Sequence, residues 1–311
     1  VKGKKSEEER LKEEAWEQEK IAEEAQKVRI KKILEKDVRA VAQRTKKDLS
    51  RAYISTGTAQ NPEQAMNYFK KALRINPRDS ESHFKMGIFW FGNHNIDKAI
   101  ESFLKAVKYD RNNAYAWYYM GLCRQLKLDY YKAIGCFFNV IRLNPTIMEG
   151  RAYIYLANSY ISLGHVNIVN DYTDRAINFF GRAVLSYWDY LSKIPEHQRE
   201  DIRMPLSLSF FYRGLAYSKK GSNMLRSDRF WEAIGFLNNA VYDFDEVASI
   251  GLSGYVRESE VLTLINRGIA WKSIGESGKA VEDFDRAISI NPNTRLAQKL
   301  RRFTLEGGYR A

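Results

Sequence analysis

Small and aromatic residues recur along this chain at a fixed interval, and the interval predicts its architecture. Ala65, Ala99 and Ala133 lie 34 residues apart; each is followed at i+4 by Phe69, Phe103 or Phe137 and at i+7 by Ala72, Ala106 or Val140. Such a set forms one stripe on one helix face. The small residues let a partner helix approach, and the aromatic fills the gap beside them. A first helix precedes each stripe: within Ala114–Ile147 it carries Trp117, Met120, Gly121, Leu122 and Cys123, ahead of Ala133, Phe137 and Val140 on the second. Pro77 and Pro145 fall two intervals apart, with Arg111 in the slot between. They end the second helices, since proline cannot continue a helix and biases its predecessor away from the α region. A period of this length marks stacked two-helix units.

The theme recurs at Ser80–Asn113 (Met86, Gly87, Trp90, Ala99, Phe103, Ala106) and at Val261–Thr294 (Gly268, Trp271, Ala280, Phe284, Ala287, Pro292). It is weaker at Lys46–Asp79, where Tyr53 replaces a small residue. These units resemble the tetratricopeptide repeat (TPR) family. The resemblance implies an all-α fold, a right-handed α-solenoid of antiparallel helix pairs (the TPR superhelix), here preceded by a long N-terminal helix. Six repeats are expected, at 46–79, 80–113, 114–147, about 150–190, about 207–247 and 261–294. A charged N-terminal helix over 1–45 and a capping helix (Thr294–Leu305) with its tail, 295–311, flank them.

Two repeats break register. The small-to-small separation is 12 residues from Gly87 to Ala99 but 19 from Ala157 to Ala176 and from Gly214 to Ala233. The seven added residues are expected in the turns inside those repeats, at roughly Leu163–Arg175 and Lys219–Arg229, because a surface loop lengthens at little entropic cost. Pro195 and Pro205 bound a charged stretch expected to form a short extra helix.

From Ser6 to Lys47 there is neither Gly nor Pro; Glu7–Glu24 is acidic and Lys27–Lys47 basic. As one helix this segment would run roughly 60 Å. Leu11, Ala15, Ala22 and Ala25 make a thin apolar seam, and Leu34, Val38 and Val41 a firmer one. Three roles fit: a solvated lead-in helix, a docking or self-associating coiled-coil segment, or a helix folded back into the chain's own groove.

By the family resemblance, the concave groove is lined by the second, fifth, ninth and twelfth residues of each first helix. Those positions give Phe84, Ile88, Phe91, Tyr115, Tyr118, Leu122, Ile154, Ile161, Phe211, Leu215, Leu262, Ile265 and Ile269. The lining is apolar and aromatic, suited to a partner helix or extended peptide. The family's co-chaperones grip C-terminal carboxylates with Lys and Asn at the fifth and ninth positions, and that set is absent from the matching slots. The expected function is a non-catalytic scaffold or adaptor in a multiprotein assembly. The alternatives are a purely structural subunit, contacting neighbours through the N-terminal helix and inserted turns, and a basic surface for nucleic acid or an anionic membrane.

Composition changes little. The chain has 311 residues and a formal charge of +12, from 50 Lys and Arg against 38 Asp and Glu. The cations cluster at Lys27–Lys47 and at Arg295, Lys299, Arg301, Arg302 and Arg310, two ends of an array rather than the continuous stripe nucleic acid needs. Enzyme signals are nearly absent. The histidines are isolated, and His83 reads as a packed ring. Gly275–Lys279 imitates a phosphate loop with too few residues between its glycines and no Ser or Thr after Lys279. Asp243, Asp245 and Glu246 read as a solvated face, and Cys123 and Cys136 as small buried residues. No cofactor or metal is expected. No stretch is apolar enough to span a membrane. The chain begins at Val1, so it reads as a fragment or processed form, with the cytoplasm as the default compartment and the periplasm as the alternative.

Overall fold

The computed structural model of the chain describes residues 11, 13–22, 24–25, 62–196 and 199–307. The first helix of the first repeat, Tyr53, the seam at Leu34, Val38 and Val41 and the basic run Lys27–Lys47 lie outside them. All regular structure among the described residues is helical, as expected.

The chain divides into two compact units. A mid-chain unit takes Lys31–Leu163 and Arg182–Arg199; a C-terminal unit takes Val1–Ile30, Gly164–Gly181 and Glu200–Ala311. In the mid-chain unit lie α1 (Pro62–Ile75), α2 (Ser80–Gly92), α3 (Ile96–Tyr109), α4 (Ala114–Leu126), α5 (Tyr130–Leu143) and a short 3-10 turn, Ile147–Gly150. Next come α6 (Arg151–Val169) and α7 (Thr173–Leu191), each divided at the unit boundary. The C-terminal unit holds α8 (Glu200–Arg226), α9 (Phe230–Ser249), α10 (Ser253–Ser273), α11 (Ser277–Ile290) and α12 (Arg295–Gly307), with a helical segment between residues 11 and 25. Within each unit consecutive helices pack in hairpins, and the first helices also touch, α2 on α4 and α8 on α10.

Two turns repeat. Inside each hairpin one residue is left-handed, at His94, Leu128, Asp171, Asp228 and Gly275. The next N–H donates back into the preceding helix, Asn95 to Trp90, Asp129 to Arg124, Tyr172 to Asn167, Arg229 to Met224 and Glu276 to Trp271, at 2.8–2.9 Å. This is the closing bond of a Schellman turn. Between hairpins, Asn76, Asp110, Asn144 and Asn291 stop a second helix, and each side-chain oxygen accepts the N–H two residues on, at 2.9–3.2 Å. Such Asx turns offer the backbone an alternative to helix.

The core is built from glycine against ring. A Cβ on Gly87, Gly121, Gly164 or Gly268 would lie 2.5–2.7 Å from Phe103, Phe137, Phe180 or Phe284, always sixteen residues later, and one on Gly221 would lie 2.6 Å from Leu237. The four phenylalanines and Leu237 are fully buried.

These contacts correct the expectation of long internal turns. Gly164 to Ala176 and Gly221 to Ala233 keep the usual separation of twelve, and the turns stay as short as elsewhere. The additions are helical: α6 and α7 have 19 residues, α8 27 and α9 20, against 13 or 14 in α2–α5. A heptad on each helix adds a second layer. Gly214 sits seven residues before Gly221, and its added Cβ would meet Phe244, seven after Leu237, at 2.8 Å. The Tyr187 hydroxyl likewise donates to Asn158 at 2.8 Å. Two turns of helix return nearly to the same face, so the stripe simply continues. Pro205 also lies inside α8 rather than bounding a separate helix; so near the helix start it removes few intrahelical bonds. The capping helix α12 buries Leu296, Ala297 and Leu300.

Candidate functional site

Most of the expected groove residues lie in packing positions. Ile88, Phe91, Tyr118, Leu122, Phe211, Leu215, Ile265 and Ile269 are all buried. The Tyr118 ring stands edge-on to Tyr119, Phe137 and Tyr155, with centroids 5.5–6.3 Å away. Ile154, Ile161 and Leu262 are half-buried. Phe84 is half-buried and Tyr115 is 49% exposed, their ring centroids 6.4 Å apart. Phe84 is braced behind by Phe103 and Tyr119, at 6.0 and 6.1 Å. Among the expected groove residues of the mid-chain unit, the exposed aromatic surface is Tyr115 with the edge of Phe84.

In the C-terminal unit the corresponding face holds the chain's own N-terminal segment. Leu11 and Ala15 are buried in a cluster with Leu225, Leu264, Ile265, Ile269, Leu296 and Leu300. Glu19, 5% exposed, accepts from Arg226 at 2.9 Å, and Glu14 pairs with Lys299 at 3.1 Å. Leu11, Ala15 and Glu19 follow at i, i+4 and i+8, one stripe of a helix. Of the three roles open for this segment, the fold-back is the one its described part adopts.

A family model for the tetratricopeptide repeat matches residues 48–79. Its small–aromatic–small stripe recurs at Ala99, Phe103 and Ala106 and at Ala133, Phe137 and Val140, and its proline at Pro145 and Pro292; four hairpins share the glycine-on-ring contact, and between α8 and α9 Gly221 meets Leu237 instead. The helical hairpins have the TPR-type fold. No curated protein matches it. Among solved structures, it is similar to YrrB, a TPR protein with an unusual peptide-binding site, at 20% identity and a TM-score of 0.35 over 75% of this chain and 97% of that one. It is similar to the TPR protein BF2334 of Bacteroides fragilis NCTC 9343 at 14% and 0.42, over 74% and 99%. For a MamA structure the values are 18% and 0.33, over 70% and 93%.

The polar groups of the repeats serve packing. Asp243, expected on a solvated face, is 1% exposed and takes both Arg213 nitrogens at 2.9 and 2.7 Å. The arrangement recurs at Arg267 and Asp283, at 2.9 and 2.5 Å. In both pairs the arginine precedes a packing glycine and the aspartate a packing phenylalanine, a signal present in the sequence as Arg213-Gly214 with Asp243-Phe244 and Arg267-Gly268 with Asp283-Phe284. Asp245 pairs with Arg286, which also reaches Glu260 at 2.5 Å. His83 packs as expected: its ring stacks on Tyr109 at 5.5 Å and Nε2 donates to the Pro77 carbonyl at 3.0 Å. Both cysteines are free and buried, and burial pushes the Cys136 thiol up to about 12, far from a nucleophile's range. Among the described residues no three His, Cys, Asp or Glu side chains gather to hold a metal, and no helix is long and apolar enough to cross a membrane.

His165 is buried without polar partners among the described residues. It is 1% exposed, its ring lies edge-on to Tyr212 at 4.1 Å and 5.4 Å from Phe180, and neither ring nitrogen has a hydrogen-bond partner. Burial lowers its pKa from 6.5 to about 3. The unfolded chain therefore binds a proton here that the folded one refuses. Stability is full above pH 6.5 and falls as pH drops from there towards 3. Going from pH 7 to pH 5 should cost about 2 kcal/mol through this residue. Urea midpoints of wild type and His165→Leu across that range test it: the variant should lose that share of the pH slope.

Proposed function

We propose that this chain is a non-catalytic scaffold that brings proteins together through the first-helix faces of its repeats, with the six-repeat division as part of the proposal. The carrying observation is the Tyr115–Phe84 surface: an exposed tyrosine beside a half-buried phenylalanine that Phe103 and Tyr119 hold from behind, in a unit where Ile88, Phe91, Tyr118 and Leu122 of the groove positions are buried. Rings so placed bury much apolar area at little rotamer cost, and a face with few apolar anchors suits an exchangeable contact, about micromolar, better than a permanent one. Two features weigh against the other readings. A structural subunit contacting neighbours by long inserted turns has no such turns to use among the described residues. A nucleic-acid surface needs free cations, and many of those described are matched to carboxylates.

Affinity purification with the full chain and its Tyr115→Ser and Phe84→Ser variants, read by quantitative mass spectrometry, tests this. Tyr115→Ser alters an exposed residue, so stability should stay within about 0.5 kcal/mol while a defined set of co-purifying proteins drops about tenfold, as loss of one aromatic anchor typically does. An unchanged set with both folded variants rejects the surface.

A further inference from the structure

The segment seated on the C-terminal unit fits its site incompletely. Among its described residues only Leu11 and Ala15 are buried apolar side chains, and one of them is a single methyl. Further along, a cleft of about 400 Å³ stays open, with Gln18 and Ala22 on one wall and Val261, Leu262, Ile265 and Leu296 on the other. Its rim carries Arg295, exposed and without an ion pair to any described residue, beyond the occupied cations Arg226 and Lys299. Meanwhile Trp16 and Ile21, two large apolar residues of the segment, are 37% and 66% exposed. A helix with a leucine-sized residue where Ala22 stands would fill the cleft, and a further carboxylate would pair with Arg295.

We infer that this surface is a receptor for an acidic amphipathic helix of a partner protein, and that residues 11–25 are a weak internal ligand which the partner displaces. The inference rests on the scaffold reading only in giving a first-helix face to a partner; its surface is a different one. The occupant is defined by what already sits there. It carries apolar residues at i and i+4, with carboxylates at i+3 and i+8 for Lys299 and Arg226. It also carries a large apolar residue at i+11, where the internal segment has alanine.

A fluorescent peptide with the sequence of residues 6–25, and the same peptide with Ala22→Leu, serve as probes for anisotropy titrations. The protein is the full chain, as wild type and as Leu11→Glu/Ala15→Glu, which places carboxylates in the apolar seam and unseats the segment. Glu14→Lys/Glu19→Lys reverses its charges without touching the seam and guards against a folding failure of the first variant. Both variants should bind the peptide at least tenfold more tightly than wild type does, and the leucine peptide should bind about tenfold more tightly than the parent, since it buries additional methylenes. Tyr115→Ser should leave these affinities unchanged, which separates this site from the aromatic face. Equal affinity for wild type and released variants overturns the internal ligand. No binding to either folded variant overturns the receptor, and leaves the Tyr115 reading to its own test.

Discussion

Arg267→Ala should destabilise the C-terminal unit by about 3–5 kcal/mol, because it leaves a buried carboxylate without its counter-charge. Asp283 is 4% exposed and has both oxygens on the Arg267 guanidinium, which also donates to Asn238 at 2.9 Å. Burial already holds the Asp283 carboxyl above the usual carboxylate range, so removing the cation drives it to take up a proton rather than stay charged. The double variant Arg267→Met/Asp283→Leu removes both charges and should recover most of the loss, since replacing a whole buried pair by apolar residues is often neutral. Equilibrium unfolding in urea distinguishes the cases. A cost below about 1 kcal/mol for Arg267→Ala would mean the pair behaves as a surface ion pair, contrary to its burial.

Phe180→Ala should cost about 3–5 kcal/mol, the usual range for opening a phenylalanine-sized cavity in a packed core. Phe180 is fully buried, and its ring lies against the bare backbone of Gly164. Gly164→Ala alone would put a methyl 2.5 Å from that ring, an overpacking worth about 1–3 kcal/mol. The two costs should not add. With Phe180 truncated, the Gly164→Ala methyl enters the vacated space, and the double variant should lose less than the sum of the single ones. Gly135 is the control, since nothing lies within 4 Å of an added Cβ there; alanine at this helical site should stabilise by up to about 1 kcal/mol. Additive costs at 164 and 180 would show that the glycine and the ring do not form one packing unit.

The fold was readable because its determinants are local and periodic. The stripe at Ala99, Phe103 and Ala106 gives the buried face of α3, and Asn144-Pro145 stops α5 through an Asx turn that needs only neighbouring residues. The register of the longer hairpins was harder to read for a physical reason. A heptad extension places a second small residue on the same face, so Ala157 and Gly214 are as plausible in sequence as Gly164 and Gly221. The separation that decides is glycine to buried partner, sixteen residues in the five hairpins with a packing glycine. Asp243 looked solvated because its partner, Arg213, is thirty positions away on another helix. Sequence position places the expected groove residues on first helices but does not say which face another helix covers. Tyr118 and Tyr115, three residues apart, end up fully buried and half exposed. Nor does composition reveal that Leu11 and Ala15, in a seam too thin to hold a coiled coil, find a ready-made apolar site near the far end of the chain.

The central claim is that residues 11–25 seat on the C-terminal unit, over the face proposed above for a partner. Its most direct test is a distance distribution between spin labels on Glu17→Cys and Arg302→Cys, both at exposed positions, in the full chain, where the native Cys123 and Cys136 are buried and resist labelling. The account predicts one narrow, short distance that broadens and lengthens when Leu11→Glu/Ala15→Glu is added. A broad, long distribution in the chain without those substitutions, unchanged by them, would contradict it.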